Sequence, residues 1–236
     1  MTTALRNSDR FLIAFNRINH TLRDIVGAKD FQPFYRLVDQ GKKKNALVRK
    51  YEDDLRSFAD LRNAIVHHRT SMEFVIAEPH SKIVNRIEHI DHTLAKPKLV
   101  GQVFQKKVLS LQTTDSLKYA LNIIRQKKFT QFPVFEGPHF RGLVTTVGIT
   151  NWLATTIVGN HASITMPTLH DILHHEKNRV NYKFISRYIT IYDAEEIFKQ
   201  GVERGKRFEA LLITEHGKPY QKLLGIVTPI DIMKVD

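Results

Sequence analysis

The segment "ADLRNAIVHHRT", residues 59–70, carries Arg62, Asn63 and His67 in the second half of one helical run. An imidazole exchanges protons near neutral pH, a guanidinium stays charged and matches the fork of a phosphate, and an amide can orient either. Together they are suited to acid–base work on a phosphate-bearing substrate. A second set, "GIVTPID", places Thr228 and Asp231 three residues apart at a strand-to-helix turn. There a hydroxyl and first-turn amides can face a phosphate, and the acid can accept two hydrogen bonds from a ribose diol. Each set also has a plain alternative. Arg and His late in a helix compensate its dipole. Thr-x-x-Asp with Pro229 at the first helical position is a capping box. A third set, His170 and His174 in "HDILHH", has zinc spacing on one helical face. It lacks an acid in register, so a solvated helix linking two larger elements is the expected reading, and no metal site is expected.

The elements that must carry these groups fall into two styles. Up to about residue 98 the apolar residues recur at helical spacing. Phe11, Phe15, Ile18, Leu22 and Ile25 form one stripe, Phe31, Phe34, Tyr35 and Val38 a shorter one, and Tyr51, Leu55, Phe58, Leu61 and Ile65 a third. Ile83, Ile87, Ile90 and Leu94 form a fourth after Pro79 and Ser81. On the third helix Arg62 lies at the edge of the core arc, whereas Ala59, Asn63, Val66 and His67 make a second face. Arg62 and His67 are roughly 140° apart there, poor geometry for one closed site on a single straight helix. Pairing that second face across a two-fold axis would bring Asn63 and His67 of two chains together, which predicts a homodimer.

Composition bounds the function. No cysteine occurs, which removes disulfides, thiolate zinc sites and thiol catalysis and points to a reducing, cytoplasmic setting. No apolar run approaches the roughly 18 residues of a membrane span, so no membrane partner is expected. The net charge of +12 favours polyanions such as nucleotides or RNA. The excess is shared: 18 basic and 12 acidic side chains fall in residues 1–98, and the same numbers follow. Clusters such as "GKKKN" (41–45) and "RQKK" (125–128) read as solvated loops or helix ends. There is no Walker loop, G-x-G-x-x-G or G-x-S-x-G.

Beyond residue 98 short β-rich runs alternate with helical ones, and the order returns. Gly142, Val144 and Thr145 precede Gly225, Val227 and Thr228 by 83 residues, whereas Asp115 precedes Asp193 by 78. The second copy has a longer turn. Such repeats are half-domains that bury their apolar faces together. The paired β-α-β-β-α units, with "FPVF" and "GIVTPID", resemble a tandem of CBS (cystathionine beta-synthase) domains, a Bateman module, with repeats at about 102–160 and 178–236. The resemblance implies an adenine nucleotide (ATP, AMP or a cyclic dinucleotide) as regulatory ligand. It implies Thr228 and Asp231 on phosphate and ribose, and Ile189, Thr190, Ala210 and Leu212 along the base slot. The first repeat departs from the pattern, with Gly148 where the acid belongs. One nucleotide per chain is therefore expected.

Arg62, Asn63 and His67, with four residues between Arg and His, resemble the R-x4-H core of the HEPN (higher eukaryotes and prokaryotes nucleotide-binding) family. "RFLIAFNRINHTL" is similar to that family's first helix. This resemblance implies a helical dimer with metal-independent endoribonuclease activity on an RNA substrate. His67 would take the proton of a 2′-hydroxyl, Arg62 would stabilise the phosphorane and Asn63 would orient the phosphate or the histidine. The products would carry 2′,3′-cyclic phosphate and 5′-hydroxyl ends. Arg69 stands where one toxin subgroup has a tyrosine. The fold expected is α+β: an N-terminal all-α helical bundle, residues 1–98, then the CBS pair, 99–236. The alternative function is a non-enzymatic nucleotide sensor whose helical part dimerises or recruits a partner.

Overall fold

The structure, a computed structural model, describes residues 5–67, 78–158, 161–162, 166–176 and 180–235. The chain divides into two compact units, Met1–Lys98 and Leu99–Asp236. Among the described residues no helix is long and apolar enough to cross a membrane.

The first unit consists of α1 (Asn7–Val26), α2 (Phe34–Lys44), α3 (Ala46–Lys50), α4 (Glu52–His67) and α5 (Ser81–Ala95). Helix α1 is long enough to pack along α5, α2 and α4 in turn. Its stripe Phe11, Phe15, Ile18 and Leu22 is buried, as are Leu37 and Val38 of α2 and Val84, Ile87 and Ile90 of α5. Phe11 meets Phe58 edge-on at 5.9 Å between centroids, and Phe15 stacks on Phe34 at 4.4 Å. The Asn45 side chain caps α3 by accepting from the backbone of Leu47 and Val48. Two details differ from the periodicity. Phe31 precedes α2 and is 85% exposed, because the helix begins only at Phe34. On α4 Ala59 is buried and Leu61 only half-buried, so the buried arc is turned by roughly 40° from the expected one. Arg62 then falls near its middle.

The second unit contains the repeat. Its first copy runs α6 (Val100–Phe104), β1 (Leu111–Gln112), α7 (Leu117–Lys127), β2 (Gln131–Glu136), β3 (His139–Thr145) and α8 (Thr146–Thr156). A two-stranded hairpin, β4 (Ile157–Val158) and β5 (His161–Ala162), leads on. The second copy runs α9 (Leu169–Leu173), β6 (Tyr182–Ser186), α10 (Ile191–Glu203), β7 (Ala210–Thr214), β8 (Gly225–Val227) and α11 (Pro229–Met233). The sheets are ordered β1-β2-β3 and β6-β7-β8, each with a parallel first pair and an antiparallel second. The fold is α+β, helices first and the paired β-α-β-β-α units after them.

The lead helices α6 and α9 are exchanged. Val100 and Phe104 of α6 lie in the core of the second copy with Ile185, Ile191, Leu211 and Val227. Leu169 and Ile172 of α9 lie in the core of the first with Phe132, Val134, Val144 and Trp152. The backbone mirrors the trade: Leu99 bridges Thr190, and Thr168 bridges Ser116. Helix α9 is thus a core element rather than a solvated linker, its amphipathic pattern serving the first repeat. Between the sheets Leu143, Ala210 and Leu212 form a third apolar cluster, edged by Phe140, Tyr182 and Phe184.

The exchange brings the leading helices close against the backbone at two equivalent glycines. A Cβ at Gly225 would lie 2.5 Å from the Phe104 carbonyl oxygen, and one at Gly142 would lie 2.8 Å from Leu173 Cδ2. A carbonyl in a bonded backbone yields less than the end of a leucine. Gly225→Ala is therefore expected to cost about 1–3 kcal/mol in urea unfolding of the intact chain, and more than Gly142→Ala.

Candidate functional site

Strand β8 delivers Thr228 to the start of α11. The Thr228 N–H and hydroxyl both donate to Asp231 Oδ2 at 2.8 Å, and the Asp231 N–H donates to Thr228 Oγ1 at 3.3 Å. The capping box is therefore real, and it uses a single carboxylate oxygen. Both residues also line a cavity of about 310 Å³ with Lys106, Lys107, Val108, Leu109, Lys128, Phe129, Thr130, Gln131 and Ile226. That is the lower end of the volume range of small-molecule sites. The lining thus combines three lysines and one carboxylate with the apolar Val108, Leu109, Phe129 and Ile226. Such a lining suits a ligand that combines an anionic group, hydroxyls and an apolar surface.

The exchange of lead helices builds this lining. Lys106 and Lys107 follow α6, whose end is tied to the second repeat by the Lys106 N–H donating to the Leu224 carbonyl at 3.0 Å. Lys128 closes α7 of the first repeat in a left-handed conformation, φ 58°. In the sequence Lys128 falls in the 125–128 cluster read as a solvated loop or helix end, and Lys106 and Lys107 did not stand out. Their one signal was position, directly after α6 and α7.

The other residues expected in the base slot lie elsewhere. Ala210 and Leu212 are fully buried in the apolar cluster between the sheets. Ile189 packs on the second repeat's core, and its carbonyl accepts from Val100 N–H at 2.9 Å. Thr190 caps α10, its hydroxyl bonded to Asp193 Oδ2 at 2.7 Å. These four do not line the cavity that holds Thr228 and Asp231. Their positions are taken up by sheet packing and capping.

In the first repeat Thr145 and Gly148 stand where Thr228 and Asp231 stand in the second. Gly148 brings no carboxylate, yet one is present. Glu176, on the segment after α9, accepts from Thr145 N–H at 2.6 Å and from the Thr145 hydroxyl at 3.0 Å. Asn181 Nδ2 donates to its other oxygen at 3.1 Å. Glu176 is 8% exposed. Burial pushes its carboxyl above the ordinary value, while the bonds from Thr145 and Asn181 pull the other way without cancelling the shift. A Cβ at Gly148 would overlap Glu176 Oε1. An adjoining cavity of about 460 Å³ is lined by Arg141, Leu143, His170, His174, Glu176 and Asn181, among others. His170 and His174 lie 4.9 Å apart between ring centroids, and His174 Nδ1 is bonded to the His170 carbonyl. Among the described residues no group of three or more His, Cys, Asp or Glu is placed to hold a metal ion.

On α4 Arg62 is half-buried and Asn63 exposed, and the guanidinium donates to the Asn63 side-chain oxygen across a long 3.4 Å. His67 ends the helix, and its side chain lies outside the described residues, as do His68, Arg69 and Thr70. Nearby, Tyr35 donates to Asp60 at 2.5 Å and ties α2 to α4.

Residues 100–155 match the family model of the CBS domain. Among solved structures the chain is similar to a putative signal-transduction protein with CBS domains from Burkholderia ambifaria, with 15% identity over 55% of this chain and 82% of that one, and a TM-score of 0.41. It is also similar to CBSX2 in complex with AMP, with 18% identity over 58% and 94% of the two chains and a TM-score of 0.40. The CBS domain of a bacterial CNNM/CorC family Mg2+ transporter in complex with ATP gives 13% identity over 58% and 85%, with a TM-score of 0.40. No curated protein matches the chain. The matched residues cover the first repeat of the second unit, and a second repeat with the same order of strands and helices follows it.

The raised carboxyl of Glu176 has a definite sign in stability. The folded chain holds this proton more tightly than the unfolded chain, so its contribution is fully present below the ordinary value of 4.5 and is lost as pH rises through the folded value. The stability difference between wild type and Glu176→Gln should therefore shift against wild type as pH rises above 4.5. Urea unfolding of both proteins at several pH values up to about 7.5 checks this.

Proposed function

We propose that this protein is an adenine-nucleotide sensor whose ligand enters the cavity bounded by Thr228 and Asp231. The observation that carries the reading is the lining: three lysines, one carboxylate and an apolar wall within one cavity of fitting volume. Lys106, Lys107 and Lys128 take the phosphates. Asp231 accepts from the ribose hydroxyls through Oδ1 while Oδ2 keeps the cap. Val108, Leu109, Phe129 and Ile226 face the base. A net charge of +12 raises the local concentration of such anions. The lining draws on both repeats, so a bound nucleotide favours one arrangement of their junction over others. It regulates only as far as it prefers that arrangement. In this reading the helical unit dimerises or recruits the partner that receives the signal, in a reducing cytoplasm.

A second reading rests on α4, where exposed Asn63 accepts from Arg62 one turn before His67. With the corresponding face of a second chain these residues would form a metal-independent endoribonuclease, the nucleotide setting its activity. Labelled RNA incubated in EDTA, with and without nucleotide, should then be cut by wild type and not by His67→Ala or Arg62→Ala. Equal cleavage by all three removes this reading.

Calorimetric titration with ATP, AMP and a cyclic dinucleotide tests the sensor. Loss of a hydrogen-bonded charge should weaken binding by Asp231→Asn roughly tenfold to a hundredfold, with the ligand-free melting temperature near that of wild type. Lys106→Ala should weaken ATP more than AMP and flatten the salt dependence. Wild-type affinity in Asp231→Asn would exclude this cavity.

A further inference from the structure

The two repeats use the same hydroxyl in the same way, with a carboxylate from different places. In the second, Asp231 lies on the helix that Thr228 caps and receives both the Thr228 N–H and hydroxyl at 2.8 Å. In the first, Thr145 gives both groups to Glu176, at 2.6 and 3.0 Å, although Glu176 follows Thr145 by 31 residues. Thr145 also accepts from the Gly148 N–H at 3.1 Å, as Thr228 accepts from Asp231. The geometry of the cap is thus complete in both copies.

The replacement is exclusive. A Cβ at position 148 would overlap the Glu176 carboxylate, so an acid at 148 and Glu176 in its present place cannot coexist. Asn181, itself buried, holds the second carboxylate oxygen at 3.1 Å, so both oxygens are engaged from within the chain. Asp231, by contrast, engages one oxygen in its cap, and it and Thr228 both line a cavity, whereas the cavity beside Glu176 is lined by neither Thr145 nor Gly148.

We propose that Glu176 is the resident occupant of the first repeat's cleft: it stands in for the acid absent at Gly148 and keeps that cleft from taking a second nucleotide. The ligand selectivity of the pair then follows from one carboxylate that came from the connecting segment. An acid on α8 would leave an oxygen for a diol, as Asp231 does. Glu176 leaves none, and its stem fills the space beside α8. The exclusion of a second nucleotide rests on the sensor reading, whereas the substitution of Glu176 for an α8 acid does not.

The test is a double-variant cycle on the full chain with two readouts. In melting experiments Gly148→Asp should lower the melting temperature by about 3 °C or more when Glu176 is present. In the Glu176→Ala background the same change should be neutral or raise it, because the introduced carboxylate takes over the cap of Thr145. Equal losses in both backgrounds overturn the substitution. Should Gly148→Asp fail to fold alone, Gly148→Ala in the two backgrounds reads the same overlap, which begins at Cβ. By calorimetry with ATP, wild type should bind one nucleotide per chain and the Gly148→Asp/Glu176→Ala protein two. Two sites in wild type, or one in a double variant whose melting shows a restored cap, overturn the closure. No binding by either protein overturns the sensor reading and the closure with it, while the melting cycle still decides the substitution.

Discussion

The second unit depends on each repeat lending its leading helix to the other. Neither three-stranded sheet with its own two helices covers its apolar face: the first needs Leu169 and Ile172, the second Val100 and Phe104. Burial of such residues is worth about 1.5–3 kcal/mol apiece, a large share of the margin by which a domain is stable. The trade is possible only because backbone meets backbone at Gly225 and side chain meets backbone at Gly142. These glycines fall at the same place in the repeat, 83 residues apart, because both partners face the same packing problem.

The trade also determines where charge collects. A segment leaving α6 on one repeat to begin β1 of the other must cross the junction, and in this chain the crossing residues are Lys106 and Lys107. The equivalent crossing from α9 to β6 carries Glu176 and Asn181. One junction lines a cavity with lysines, and the other sets a buried carboxylate against Thr145. Two copies of one architecture thereby differ in chemistry, although their sheets share strand order and the pairing of Gly142–Val144 matches that of Gly225–Val227.

Much of the fold was legible in the amino-acid pattern because it is local. The stripe of α1, the cap at Thr228 and the return of Gly-x-Val-Thr each depend on residues a few positions apart. The departures mark where tertiary packing overrides local pattern. Ala59 is buried instead of Leu61 because α4 is rotated against its neighbours, and Phe31 lies outside a helix that starts at Phe34. Ala210 and Leu212 alternate as strand residues should, but a central strand is covered on both faces, so they pack between sheets rather than line a slot. Lys106 and Lys107 of the cavity and the role of Glu176 were illegible for one shared reason. Both arise from the exchange, which no periodicity records. The missing acid at Gly148 was the only trace, since a capping threonine without its carboxylate implies that some other one serves it.

The reciprocal embrace of the repeats has a corollary for ancestry. A lone copy of this half-domain, with its own leading helix, would possess a donor segment and an uncovered seat but no means of joining the two within one molecule. Two such copies would satisfy each other completely, as a symmetric pair of identical chains. The tandem in this chain holds both members of such a pair in one polypeptide, and its halves differ where they join, with lysines after the first leading helix and a buried glutamate after the second.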